Sequence, residues 1–302
     1  MQNGEKKEKL LKIISEVTDT DVSTLADATN LVRDLQVDSV LRVELASRIE
    51  DAFGVAIDER KVNLDTTVGD LFHLLLESKP AAKSWKFKEW PLTWWAAIIR
   101  SLIQDLLVHP VLKLGVKKVD VRGLENLEDM QFPVVFMPNH VRYLDTAIVY
   151  RAIPRKIRKK TAIAAAVDMV YTRYKRYRRF AEIGYNAFPF PRKEGENIKP
   201  GLDYMGKMLD RGYNVVLFPE GKASFTGKLQ PIKRGAGFIA TEMNATIIPM
   251  KITGIPRIIP PDRTLPIRRD TVTVTFGKPI RFSKEESYIE ATEKIYKAMQ
   301  TL

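Results

Sequence analysis

The chain has 302 residues, 45% of them hydrophobic, and a net charge of +12. That length supports two cores, and the lack of cysteine excludes disulfides, thiolate metal sites and a cysteine acyl-enzyme. Residues 1–80 hold 10 basic and 16 acidic residues, a net of −6, so the remainder carries +18; a body of that sign favours lipid headgroups, phosphorylated substrates or nucleic acid as partner.

The first seven residues are polar and lack the apolar core of a secretory signal, so a cytoplasmic location is expected. Residues 5–78 read as a small all-α four-helix bundle. Leu10, Ile13, Ile14 and Val17 form one helical stripe, and Leu41, Leu45, Ile49 and Ala52 form another. The second helix starts near Ser39 and stops before Gly54, a natural helix terminator. A short helix follows Thr67, with Leu71, Leu74 and Leu75 turned inward. This divides the chain into a domain over 1–79, a linker and amphipathic helix over 80–110, and a larger domain over 111–302.

In the linker, Trp85, Trp90, Trp94 and Trp95 are all the tryptophans of the chain, and tryptophan prefers the headgroup level of a membrane. Over 93–108, Trp95, Ile98, Ile99, Leu102, Ile103, Leu106 and Leu107 fall on one helical face, with Arg100, Ser101, Gln104 and Asp105 opposite. A membrane span needs about 20 apolar residues. This stretch is shorter and charged in its middle, so it is expected to lie in the interface, closed by His109 before Pro110. Beyond it, strands are expected over 133–137, 161–164, 214–218, 246–250 and 271–276, and helices over 144–152, 199–211, 235–243 and 284–299. The pattern is α/β: a mixed sheet flanked by helices.

Ser39 stands ahead of the second helix, where it is either an N-cap or, through the helix N-terminus, a phosphate anchor. Residues 5–78 resemble an acyl carrier protein in Asp34-Leu35-Gln36-Val37-Asp38-Ser39-Val40, in Ile49-Glu50-Asp51-Ala52-Phe53-Gly54 and in Thr66-Thr67-Val68-Gly69-Asp70-Leu71. The resemblance implies a 4′-phosphopantetheine attached to Ser39 by a phosphopantetheinyl transferase, which would supply a thiol to a chain without cysteine. Gln36 stands where that family often has glycine.

Of three histidines, His140 follows an apolar run directly and has Asp145 five residues on. At the carboxyl end of a strand in an open α/β sheet, such a histidine can take a proton from an alcohol while the carboxylate holds its tautomer. Residues 85–280 resemble the glycerolipid acyltransferases in four blocks: Asn139-His140 through Asp145, Phe188-Pro189-Phe190-Pro191-Arg192, Phe218-Pro219-Glu220-Gly221, and Ile247-Ile248-Pro249-Met250. Lys233-Arg234-Gly235-Ala236 matches the basic segment between the last two. The resemblance implies catalysis by His140 and Asp145 without an acyl-enzyme, and acceptor binding by Arg192, Glu220, Gly221, Lys222, Lys233 and Arg234. It implies an acyl thioester as donor and a lysolipid of the lysophosphatidate type as acceptor.

Two positions depart from the family. Arg142 replaces a serine, and Lys222-Ala223 replaces Thr or Ser followed by Arg, so Lys222, Lys233, Arg234 or Arg142 is left to replace a guanidinium clamp. The departures motivate an alternative, a carrier and membrane scaffold with an inactive transferase body. Basic clusters over 155–160 and 173–179, beside the amphipathic helix, fit an anionic leaflet and hence the cytoplasmic face of a membrane. No nucleic-acid motif and no metal-ligand spacing is present.

Overall fold

A computed structural model describes residues 3–302 except 38, 56, 58–60, 79–84, 129, 193–197 and 284; at 39, 40, 43, 47 and 51 the description covers the backbone alone. The chain forms two units, Met1–Ser84 and Trp85–Leu302.

In the first unit, α1 (Asn3–Thr18), α2 (Ser39–Phe53) and α3 (Val68–Glu77) bury their stripes in one core. Leu10, Ile13, Ile14 and Val17 meet Leu45, Ile49, Leu71 and Leu75 there. A reciprocal cap starts α3: the Thr67 hydroxyl accepts from the Asp70 N–H at 3.2 Å, and the Asp70 carboxylate accepts from the Thr67 N–H at 3.0 Å. Gly69 donates its N–H to the Asp27 carbonyl at 2.9 Å, and a Cβ there would stand 3.2 Å from that oxygen. Gln36 adopts a φ of 53°, a left-handed conformation that favours glycine, which accounts for the residue usual at this position. Three α-helices of the expected four-helix bundle stand among the described residues of this unit.

The second unit is built on seven strands: β1 (Val116–Arg122), β2 (Val134–Pro138), β3 (Thr161–Ala166), β4 (Ala187–Phe190), β5 (Asn214–Val216), β6 (Thr246–Thr253) and β7 (Asp270–Phe276). Their order is β1-β7-β6-β2-β5-β3-β4. Only β6 and β7 pair antiparallel. The sequence reading misses β1 and β4, the two edges, for reasons of composition. β1 carries Lys117, Lys118, Asp120 and Arg122, and β4 has Pro189 in its middle, which an edge tolerates because one side of it needs no ladder donor. Along β2, Val134 and Phe136 enter one core while Val135 and Met137 enter the other, as the period of two requires. The fourth sequence block lies inside β6, with Pro249 opposite Met137, and is a core strand.

Helix α4 (Trp94–Gly115) precedes the sheet. It is α-helical over Trp94–Ile103, widens to a π-turn over Gln104–Val108, and resumes as α-helix over His109–Gly115. It therefore does not end at His109: Pro110 sits in the first turn of the resumed segment, where a missing N–H costs little. His109 is buried rather than dipole-facing; burial first, then the Arg158 charge, lowers its pKa to about 4. The helix also faces opposite to the usual amphipathic arrangement. Arg100, Ser101 and Gln104 are buried, while Trp94 (76% exposed), Ile98, Ile99, Leu102, Leu106, Leu107, Val111 and Leu114 (76% exposed) point away from the core. Arg100 Nε donates to the Ile183 carbonyl at 3.1 Å and Nη2 to the Pro91 carbonyl at 2.7 Å, and Gln104 Nε2 donates to the Gly184 carbonyl at 2.7 Å.

The remaining α-helices of eight residues or more among the described residues are α5 (Asp145–Ala152), α6 (Arg178–Tyr185), α7 (Lys199–Asp210), α8 (Gly235–Glu242) and α9 (Tyr288–Thr301). α9 starts four residues later than expected because Ser287 is its cap, accepting from the Glu290 N–H at 3.2 Å.

Candidate active site

Two neighbouring strand ends build the site. β2 lies between β5 and β6, and the chain leaves β2 toward β3 but leaves β5 toward β6. These connections cross, and it is the parallel pairing of β2 and β5 that brings their carboxyl ends to one rim, where ligands of open α/β sheets bind. Asn139 prolongs the β2–β6 ladder with its side chain: Nδ2 donates to the Ile252 carbonyl at 3.1 Å, and Oδ1 accepts from the Ile252 N–H at 2.6 Å. The next residue, His140, is thereby held at the rim of the sheet.

A single turn brings Asp145 back onto His140. Asp145 Oδ2 accepts from the Val141 N–H at 2.5 Å and the Arg142 N–H at 2.9 Å, and lies 2.6 Å from His140 Nδ1. The four-residue spacing between histidine and aspartate is thus the length of one backbone loop closed by its own carboxylate. Asp145 is fully buried at the start of α5. Burial raises its pKa, and the hydrogen bond from His140 opposes that shift. With Nδ1 committed to the carboxylate, the neutral ring carries its proton on Nδ1 and its lone pair on Nε2. The ring stacks on Phe218 at 4.5 Å, its side chain is 25% exposed, and Nε2 has no hydrogen-bond partner among the described residues. This is the geometry of a general base.

Glu220 is expected to contact the acceptor, but the structure gives it another task. Its Oε1 accepts from the His140 N–H at 2.7 Å, and its Oε2 accepts from Gln230 N–H at 3.0 Å and Gln230 Nε2 at 3.2 Å. Buried among donors, it fixes the histidine loop; burial raises its pKa against those hydrogen bonds. The segment beyond it docks on the same loop, with Ser224 N–H donating to the His140 carbonyl at 2.8 Å. Arg142 is also turned to structure: Nη2 donates to the Pro260 carbonyl at 2.6 Å and the guanidinium lies 4.6 Å over the Phe225 ring. It does not replace the lost clamp.

Arg192 is tied as well. Nε and Nη2 donate to the two carboxylate oxygens of Asp168 at 2.8 and 3.0 Å, and Nη1 donates to the Gly221 carbonyl at 2.6 Å. Lys233 Nζ donates to the Arg192 carbonyl. Gly221 has a φ of +71°, a left-handed conformation that favours glycine, and Lys233 Cε packs 2.9 Å from where a Cβ would stand. Arg192, Gly221 and Lys233 thus come together, while Lys222 and Arg234 are exposed beside them. The sequence reading misses Asp168, Phe218 and Gln230 as site residues. Asp168 sits in a π-helical turn over Val167–Arg173, and nothing local marks it as a partner of a residue 24 positions away.

In the first unit, Ser39 is the first residue of α2. A phosphate on it would meet the free N–H groups of that helix, so the backbone suits a phosphopantetheine arm. Asp38 and the Ser39 side chain lie outside the described residues. No group of three or more His, Cys, Asp or Glu able to hold a metal occurs among the described residues.

Comparison with known proteins fits both units. Residues 118–253 match the Acyltransferase family model, and residues 8–75 match the Phosphopantetheine attachment site model. A chloroplastic 1-acyl-sn-glycerol-3-phosphate acyltransferase of Brassica napus is 28% identical over 184 residues, which is 60% of this chain and 51% of that protein. The chain therefore spans about half the length of this relative. An acyl carrier protein of Picosynechococcus is 30% identical over 79 residues, 26% of this chain and 98% of that protein. The crystal structure of the 1-acyl-sn-glycerophosphate acyltransferase PlsC of Thermotoga maritima aligns with a TM-score of 0.47 at 19% identity, covering 69% of this chain and 86% of that one.

Proposed function

We infer, from a chain that belongs to the acyl carrier protein family over its N-terminal domain and carries an acyltransferase-family domain over residues 118–253, an enzyme that acylates a glycerolipid hydroxyl from a phosphopantetheine thioester. The observation that carries this reading is the His140–Asp145 pair, closed at 2.6 Å through Nδ1 with Nε2 left open. The 4′-phosphopantetheine arm on Ser39 supplies the thiol that bears the acyl group. His140 Nε2 takes the proton of the acceptor hydroxyl as its oxygen bonds to the thioester carbonyl carbon. The carbon–sulfur bond then breaks, and the imidazolium returns the proton to the departing sulfur. The products are an ester and a free thiol. Asp145 orients the ring and balances its transient charge. General-base help of this kind contributes about 10²–10⁴-fold.

The acceptor is a lysolipid of the lysophosphatidate type, met by Lys222 and Arg234 at the mouth of the site. The location is peripheral, on the cytoplasmic face of a membrane. The exposed apolar face of α4 supports this, because Arg100, Ser101 and Gln104 are consumed inside the protein and the opposite side is left for lipid. The test is a lysolipid panel assayed with the acylated holo-protein, following ester formation and thiol release. Wild type is expected to turn over with at least one acceptor and His140→Ala to fall to background; equal rates would remove the site from the chemistry. Intact mass of Ser39→Ala after co-expression with a phosphopantetheinyl transferase tests the arm separately.

A further inference from the structure

Residues 172–180, Thr-Arg-Tyr-Lys-Arg-Tyr-Arg-Arg-Phe, are all exposed. The stretch holds five basic residues, three aromatic ones and no acid. The nine consecutive exposed residues place three aromatic rings among the cations. Tyr174, Tyr177 (59% exposed) and Phe180 have no place in either core.

The charges are largely unmatched. Arg173 lies over the Tyr174 ring at 5.4 Å, and Arg178 approaches Glu182 at 3.8 Å. Glu182, however, is buried and already bound by Lys88 at 2.6 Å. Lys175, Arg176 and Arg179 make no ion pair among the described residues. The segment is also fixed in place. Its carboxyl end runs into α6, whose Ile183 and Gly184 carbonyls are held by Arg100 and Gln104 of α4, and a Cβ on Gly184 would stand 3.6 Å from Ile103. The helix with the exposed apolar face and the turn with the exposed cations therefore form one packed assembly.

We propose that residues 173–180 are a second membrane contact beside α4, selective for anionic lipid headgroups. The proposal rests on the interfacial reading of α4 and adds to it the lipid charge. The occupant follows from chemistry: cations interleaved with tyrosine and phenylalanine suit a negatively charged headgroup layer, where the amphipathic rings sit at the interface and each basic residue contributes about a fivefold gain in partition. A polyanion such as duplex DNA would use the cations but leave the aromatic rings and the neighbouring apolar face without a role.

The test compares pelleting of the full chain with vesicles of phosphatidylcholine alone and with an equimolar mixture of phosphatidylcholine and phosphatidylglycerol. Wild type is expected to bind the neutral vesicles through α4 and the anionic ones more tightly, the difference shrinking as salt is raised. K175Q/R176Q/R179Q should bind neutral vesicles as wild type does but show an anionic gain smaller by on the order of 100-fold at low salt. Ile99→Asp with Leu102→Asp should instead weaken binding to both. An anionic gain undiminished by the triple substitution in a protein of unchanged melting temperature overturns the proposal. So does DNA binding lost in the triple variant while its vesicle binding stays intact. Absence of wild-type binding to neutral vesicles, with the anionic difference still present and diminished in the triple variant, refutes the α4 reading and leaves the turn as the contact.

Discussion

Replacing Asp145 by asparagine separates chemistry from stability more sharply than any other single change. In the native site one oxygen, Oδ2, serves three donors: His140 Nδ1 at 2.6 Å, Val141 N–H at 2.5 Å and Arg142 N–H at 2.9 Å. Asparagine keeps an oxygen for the two backbone donors. The imidazole then either shares that neutral oxygen or faces the amide NH₂, which stabilises the tautomer with its proton on Nε2. That tautomer cannot accept a proton from the acceptor, and in the other arrangement the imidazolium loses its counter-charge. In hydrolase triads the equivalent change costs about 10⁴-fold, or about 5.5 kcal/mol of barrier. We expect turnover of Asp145→Asn to fall about 10³–10⁴-fold, with the acceptor KM within about threefold of wild type, since Asp145 is buried behind the histidine. Stability should change by less than about 1.5 kcal/mol, because the substitution removes a charge whose burial is unfavourable while keeping the shape. The assay is single-turnover thiol release from acylated holo-protein with lysolipid in excess, alongside thermal unfolding. A loss of less than about tenfold in a protein that melts normally would refute the general-base argument.

Other parts of the structure carry their own expectations. Glu220→Ala strips the acceptor from the His140 and Gln230 N–H groups; urea unfolding of the second unit should show a loss of about 2–3 kcal/mol, and turnover should fall with it. Asp168→Asn weakens the bidentate hold on Arg192 and lets its guanidinium, which still donates to the Gly221 carbonyl, attract an anionic head more strongly. The KM for a phosphomonoester lysolipid should then drop about three- to tenfold with kcat unchanged, as initial-rate kinetics on matched phosphomonoester and neutral acceptors would show. His109, held to a pKa of about 4 against about 6.5 in the unfolded chain, binds fewer protons when folded. Its contribution is present above pH 6.5 and is lost as pH falls toward 4, by up to about 3 kcal/mol; His109→Gln should flatten that part of the stability–pH curve in urea titrations. Gln36→Gly relieves the left-handed backbone at φ 53° and should raise the stability of the carrier domain by up to about 1 kcal/mol.

Local chemistry was legible in the sequence wherever it closes on itself within a few residues. The loop from Asn139 to Asp145 is one such case, because the carboxylate hydrogen-bonds the backbone of its own turn. The core stripes of α1 and α2, and Leu71 and Leu75 of α3, are others, since helical period acts over three or four residues, whereas Leu74 stays outside that core. The interior strands were read from their apolar runs. The edges β1 and β4 were not, because an edge strand tolerates charge and proline.

What the tertiary structure alone decided is how distant groups meet and which way faces point. Glu220 reaches the His140 N–H because β2 and β5 are neighbours that are 80 residues apart in the chain, and Asp168 captures Arg192 because β3 and β4 end side by side. No local pattern encodes those pairings; they follow from parallel strands ending at one rim of a sheet. The periodicity over 93–108 likewise gave two faces of a helix without saying which one is inside. The polar face went in because the ends of α6 and of the segment before α4 offer carbonyls at 183, 184 and 91 that Arg100 and Gln104 satisfy, and a buried carbonyl left without a donor is costly.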